Sequence, residues 1–303
     1  MPKSVAVTGA TGFIGHVILC KLVENGWTIR ALTRCPRINN ESIQWIQGDL
    51  DDLNALHELV KNVSAVVHCA GVVKGRTLDE FVHTNVEGTK NLVLAITEQK
   101  LKPRFLLISS LAARQPELSW YAKSKFMAEQ YLATHYDDTL HAAFRPTAVY
   151  GPGDQELKPI FQATRRGILP VVGNLTNRFG LLHVNDLVAA ILQWLSTAIP
   201  VTGTFELDDG TSGGYSYHSL AAIAQEVWGH PVHCITIPIF LIKCIATLNL
   251  RLAQLFHYAP MLTPEKIKEL QHKDWVCDNT PLIRALPSWR PSIRLHDSLS
   301  QVI

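Results

Sequence analysis

Three glycines at three-residue spacing, Gly9, Gly12 and Gly15, follow directly on the apolar run Val5-Ala6-Val7 and open a stretch of helical periodicity. No other feature restricts the fold of this chain as strongly. A strand that enters a helix through this spacing must turn sharply. The absent side chains let the helix pack closely on the strand and let backbone N–H groups approach a diphosphate at the helix N-terminus. Ile14, Ile18, Leu19, Leu22 and Val23 form one face of that helix, which stops at Asn25-Gly26. Further short apolar runs, Ile29 to Leu32, Ile43 to Ile46, Ala65 to Val67 and Phe105 to Ile108, alternate with amphipathic segments. Apolar runs of this length read as parallel strands buried on both faces, joined by crossover helices. One such helix is predicted from about Leu78 to Glu98.

The alternation is regular as far as Tyr150 and weakens after Gly151-Pro152-Gly153. The predicted fold is therefore α/β, a Rossmann-type doubly wound parallel sheet with a smaller C-terminal lobe. Residues 1–150 form the nucleotide-binding part and residues 151–303 mainly the substrate-binding lobe, with the option that about 174–205 returns to the main sheet. With 47% hydrophobic residues, 18% charged residues and a formal charge of +2, neither disorder nor a polyanion-binding surface is indicated, and no nucleic-acid partner is expected. The six cysteines show neither C-x-x-C pairs nor metal-like spacing, so reduced thiols, no disulfide and no metal site are predicted. The N-terminus shows no basic and apolar leader. A cytoplasmic location is the expectation, and the sequons at Asn62 and Asn174 are then chance matches.

Pro231 to Leu255 is the most apolar stretch. Pro238 and Lys243 interrupt it, and its uncharged part is far below the ~20 residues of a membrane span. No transmembrane span is predicted. The favoured reading is a helix walling the core or a substrate pocket; weak contact with a membrane surface stays open.

The chain resembles the extended branch of the short-chain dehydrogenase/reductase superfamily, the NAD-dependent epimerases and dehydratases, and within it the dihydroflavonol reductases and 3β-hydroxysteroid dehydrogenases. Besides Thr8 to Gly15, the resemblance is carried by Gly48-Asp49-Leu50, His68-Cys69-Ala70-Gly71, Asn85-Val86-Glu87-Gly88-Thr89, Ser109-Ser110, Tyr121-Ala122-Lys123-Ser124-Lys125, Arg145 to Pro152 and His183 to Asp186. It implies that Gly9, Thr11, Gly12, Phe13, Ile14, Gly15 and Ala70 border a nicotinamide dinucleotide. It also implies that Asp49 and Leu50 flank the adenine, although Asp49 reads equally as a helix N-cap, and that Pro146 and Val149 lie near the nicotinamide. At the end of the second strand no carboxylate is present to accept from a ribose 2′-OH. Arg34 and Arg37 stand there instead and suit a phosphate. NADP is favoured and NAD remains the alternative.

Tyr121 and Lys125, four residues apart on a predicted helix, share one face. An ammonium beside a phenol favours the phenolate, so Lys125 is expected to lower the pKa of Tyr121. Ser109 and Ser110 both stand at the end of an apolar strand; the resemblance implies that the later serine of the pair, Ser110, holds the substrate oxygen. By resemblance Asn85 positions the lysine through a water or a backbone kink, with a surface amide as the competing reading. His68 reads as a structural histidine and Asp186 as an N-cap. Ser110, Tyr121, Tyr150 and Arg178 are the candidate substrate residues, Arg178 by analogy with an arginine that grips a diphosphate.

The expected activity is alcohol/ketone interconversion on a small, fairly apolar substrate, by hydride transfer with Tyr121 as acid/base. Two alternatives stay open: a nucleotide-sugar epimerase or dehydratase with a tightly held cofactor, and a catalytically idle NADP-binding sensor or scaffold. A homodimer is possible by analogy, through the helices at Leu78 to Glu98 and Tyr121 to His135.

Overall fold

The computed structural model describes residues 3–303. The chain starts with β1 (Ser4–Thr8), whose four inner residues are all buried, and passes through the glycine turn into α1 (Phe13–Glu24). It continues through β2 (Thr28–Thr33), β3 (Ile43–Gln47), α2 (Leu53–Leu59) and β4 (Ala65–His68). Next come α3 (Leu78–Val82), a π-helical turn (His83–Glu87) and α4 (Gly88–Thr97), then β5 (Arg104–Ile108), α5 (Trp120–His135), β6 (His141–Pro146) and β7 (Ala148–Tyr150). The helix predicted over 78–98 is therefore interrupted. The cause lies in Asn85, described below.

From β7 the chain builds α6 (Lys158–Arg165), β8 (Ile168–Val171), β9 (Arg178–Phe179) and β10 (Leu181–His183), which pairs in parallel with β7. It then returns to the first half. α7 (Val184–Ser196) covers α1, and β11 (Gly203–Leu207) pairs with β6. The resulting seven-stranded sheet has the order β11-β6-β5-β4-β1-β2-β3, with every pairing parallel. Helices cover both faces, which explains why its strands read as unbroken apolar runs.

The remainder comprises β12 (Tyr215–Ser216), α8 (Tyr217–Trp228), β13 (His233–Thr236), α9 (Ile239–Phe256), α10 (Pro264–Gln271), β14 (Asp274–Trp275), α11 (Thr280–Ala285) and α12 (Leu295–Ser298). The core on one sheet face joins Ile18 and Leu22 of α1 to Leu187 and Trp194 of α7 and to Leu282, Leu286 and Trp289 near the C-terminus. A separate core, with Tyr150, Phe161, Leu220 and Leu299, fills the lobe.

Two expectations are corrected here. α9 is not a core helix: of its 18 residues only Ile242, Ala246 and Ala253 are buried. Asp186 is not an N-cap. His183 caps α7, its Nδ1 accepting from the Asn185 N–H, while the Asp186 carboxylate accepts from the Ser292 and Ile293 N–H groups at 3.0 and 2.9 Å and anchors the C-terminal segment.

Candidate active site

The C-terminal ends of β1, β4, β5 and β6 converge on the glycine turn, the crevice that open parallel sheets use for ligands. Gly9 has φ +69°, and a Cβ there would lie 2.6 Å from the Ala70 nitrogen; one on Gly15 would lie 2.0 Å from the Gly9 oxygen. Neither position tolerates a side chain. Gly12, the N-cap of α1, supplies no side-chain acceptor, and the first turn holds no carboxylate. The helix N-terminus thus keeps donors and positive dipole for an anion. Thr11 and Gly12 are exposed, whereas Phe13 and Ile14 lean on the core.

Behind this turn runs a buried hydrogen-bonded chain. The Ala70 N–H donates to Thr8 Oγ1 at 3.2 Å, Thr8 Oγ1 lies 2.6 Å from His68 Nδ1, His68 Nε2 lies 3.0 Å from Thr89 Oγ1, and Thr89 donates to the Asn85 carbonyl at 2.7 Å. Each hydroxyl has one proton, so this sequence requires a neutral imidazole carrying its hydrogen on Nε2. Burial pushes the His68 pKa down to about 3, with the Lys125 charge adding to the shift. The ring is structural.

Asn85 is buried, not a surface amide. Its Oδ1 accepts from the Val72 N–H at 2.8 Å, and its Nδ2 donates to the Val72 carbonyl at 3.1 Å and to Ser124 Oγ at 2.9 Å. It sits in the π-helical turn, so the break in the helix turns this amide inward to tie the loop after β4 to α5.

Ser119 caps α5 and also donates to Glu269 of α10. On the same helix, burial pushes the Tyr121 hydroxyl up to about 12; the Ser110 hydrogen bond opposes this, and the Glu269 and Cys69 charges reinforce it. The expected lowering by Lys125 is not found. Burial pulls Lys125 down to about 8, and its Nζ donates to the Ile108 carbonyl at 2.7 Å. Ser110 faces Tyr121 and caps the short 3₁₀ turn Leu111–Arg114, whereas Ser109 Oγ is buried without a partner among the described residues. Thr147 Oγ1, just past β6, is likewise buried and unpartnered.

Lys266 of α10 stands 5.6 Å from the Tyr121 ring centre and pairs with Glu269 at 2.5 Å. Sequence reasoning missed Ser119, Lys266 and Glu269; Ser119 is legible as a serine N-cap just before Tyr121, whereas no local signal marks Lys266 and Glu269, which α10 brings from far along the chain. Val73, Phe81, Trp120, Pro260 and Met261 complete a narrow pocket over Tyr121.

The remaining candidates are dispersed. Tyr150 is fully buried in the lobe core, its hydroxyl 2.9 Å from Ser298 Oγ. It is not a substrate residue, because a side chain in an apolar core cannot reach a ligand. Arg178 is paired with Asp274 between β9 and β14. Asp49 Oδ1 accepts from the Asp51 and Asp52 N–H groups, and Asp52 is the N-cap of α2. The Leu50 side chain lies against Gly88, Pro146 ends β6, and Val149 leans on the core. Arg37 stacks 4.9 Å over Trp45, while Arg34 is exposed beyond β2 and forms no ion pair among the described residues.

A doubly wound sheet with an open helix N-terminus, a serine just past the end of β5 and a tyrosine and lysine on α5 defines a nicotinamide-dependent short-chain dehydrogenase/reductase. The comparisons agree. Residues 5–206 match the NAD dependent epimerase/dehydratase family, and the chain belongs to that family. It is 35% identical over 289 residues to a ceramide reductase of Caulobacter vibrioides, covering 94% of this chain and 89% of that protein. It is 25% identical over 243 residues to a 3 beta-hydroxysteroid dehydrogenase/Delta 5→4-isomerase of Mycobacterium tuberculosis, covering 70% and 63%. The fold is also that of MoeE5 in complex with UDP-glucuronic acid and NAD: TM-score 0.75, 23% identity, 98% and 97% covered.

Proposed function

We propose that this enzyme is an NADPH-dependent reductase of a ketone carried by a ceramide-like lipid. The observation that carries this reading is the pocket over Tyr121, where Val73, Phe81, Trp120, Pro260 and Met261 form an apolar wall beside the polar Ser119, Lys266 and Glu269. Similarity to a ceramide reductase over 94% of the chain, α9 and α10 included, supports it. The glycine turn, the α1 N-terminus and Ala70 fit a dinucleotide diphosphate, and Arg34 fits a 2′-phosphate. The scattered spacing of the six cysteines suits a reducing, cytoplasmic compartment.

A nicotinamide held at the glycine turn would supply the hydride. Ser110 and Tyr121 donate hydrogen bonds to the ketone oxygen and polarise the carbonyl. As the carbonyl carbon accepts the hydride, the C=O π pair moves to oxygen and takes the Tyr121 proton, giving the alcohol. The Tyr121 phenolate is then reprotonated from solvent. Burial raises the Tyr121 hydroxyl above its ordinary range, so it stands protonated at neutral pH, ready to give its proton in a reduction. Lys125 holds positive charge beneath the site and balances the transient phenolate.

NADPH consumption by the purified enzyme with a ketone-bearing ceramide in detergent tests this, alongside chromatography of UDP-glucose incubated with the enzyme, because epimerisation returns its hydride and consumes no NADPH. Turnover of the ceramide alone is the expected result; turnover or epimerisation of UDP-glucose alone would replace this reading with that of a sugar-nucleotide epimerase. Binding of NADPH without turnover of either would favour the idle sensor or scaffold. In Arg34→Ala the KM for NADPH is expected to rise about tenfold or more, the worth of a charge-assisted hydrogen bond, with the KM for NADH unchanged.

A further inference from the structure

α9 presents three stripes. Ile242 and Ala246 pack with Ile267 of α10, with Val172, Ile237 and Leu262 alongside, and Ala253 is buried on the same side. At 3.6 residues per turn, the adjoining stripe consists of Leu241, Ile245, Leu248, Leu252, Leu255 and Phe256, and every one is exposed, Leu248 by 59% and Leu255 by 68%. Tyr258 and Met261 extend this face past its C-terminal end, while Phe240, also exposed, heads the neighbouring stripe. The third stripe holds Lys243, Thr247, Arg251 and Gln254.

An unbroken apolar face of 18 helical residues, about 27 Å long, marks a binding surface. Charge identifies its occupant. α9 contains no carboxylate, and neither Lys243 nor Arg251 forms an ion pair among the described residues. The carboxylates of the neighbouring α10 are neutralised, Glu265 by Lys268 at 2.9 Å and Glu269 by Lys266 at 2.5 Å. A second copy docked through its own α9 would bring the same free cations and no carboxylate to answer them, since α9 has none. Lipid phosphates above acyl chains match both the cations and the apolar stripe, and aromatic rings at the two ends suit the bilayer interface.

We propose that α9 is an in-plane bilayer-binding helix that docks on an anionic lipid surface with the Leu248 and Leu252 face among the acyl chains. An in-plane position keeps the Ile242 and Ala246 contacts with Ile267 of α10, which a span would break. It also brings Pro260 and Met261, part of the wall over Tyr121, close to the lipid surface. The surface goes beyond the reductase reading and does not depend on it.

Flotation of the full chain, without substrate, on phosphatidylcholine vesicles with and without phosphatidylglycerol tests the proposal. Wild type is expected to float with the anionic vesicles. Leu248→Glu/Leu252→Glu is expected to lose at least tenfold in binding at unchanged NADPH affinity, which shows that it is folded, and Lys243→Gln/Arg251→Gln to lose the preference for anionic lipid. A wild-type chain that stays in solution with both vesicles overturns the proposal. So does a concentration-dependent dimer abolished by the leucine variant, which would make α9 a contact between copies.

Discussion

Tyr121 and His68 show how burial decides which protonation state the molecule keeps. Tyr121→Phe removes the proton donor but not the ring, which lies 6.3 Å from the Phe81 ring. We expect ketone reduction to fall about a hundredfold or more, with the NADPH dissociation constant unchanged in a fluorescence titration. His68 has a folded-state pKa of about 3 against an ordinary 6.5. Between those values the unfolded chain binds the extra proton, so stability is complete above pH 6.5 and is lost as pH falls toward 3. His68→Gln keeps an amide between Thr8 and Thr89 but does not titrate. Its melting temperature is expected to fall less steeply over that window, and parallel slopes would assign the acid sensitivity to other groups.

Among the elements, the π turn and the α9–α10 pair differ most from ordinary helices. Asn85→Ala leaves the Val72 N–H and carbonyl without partners. A loss of about 1–3 kcal/mol for each buried group so stranded is expected in urea unfolding, together with a reduced kcat, because Ser124 and α5 lose their tie to the loop after β4. α9 and α10 share only a small cluster of Ile242, Ala246 and Ile267. Hydrogen exchange in this pair is therefore expected to outpace that in α4 and α5, which lie in the main core. Equal protection would show that the pair is held as firmly as the sheet.

At the scale of the whole molecule, the nucleotide-binding half does not close its own core. Leu187, Ile191, Trp194, Leu282 and Trp289 fill the face of α1 and β1, and the Trp289 indole donates to the Asp186 carbonyl at 3.0 Å. A fragment of residues 1–150 lacks α7, β11 and α11. We expect it to show no cooperative thermal transition, whereas the full chain unfolds with one; a sharp melt of the fragment would establish an independent domain.

The amino-acid sequence by itself determined the features that depend on near neighbours. The glycine spacing admits only a tight strand-to-helix turn, apolar runs bounded by polar loops become buried strands, and Tyr121 and Lys125 share a face because four residues make about one helical turn. Its excess of leucine and isoleucine in 239–256 likewise specified an apolar helix. Where that helix goes was decided only in the tertiary structure, since an apolar face reads the same whether it meets a core, a pocket or a lipid surface. Tertiary packing also turned Asn85 inward, placed Glu269 and Lys266 over Tyr121, and sent Tyr150 into the lobe core. Each of these outcomes rests on partners far apart along the chain, and the pKa directions follow from the burial they produce.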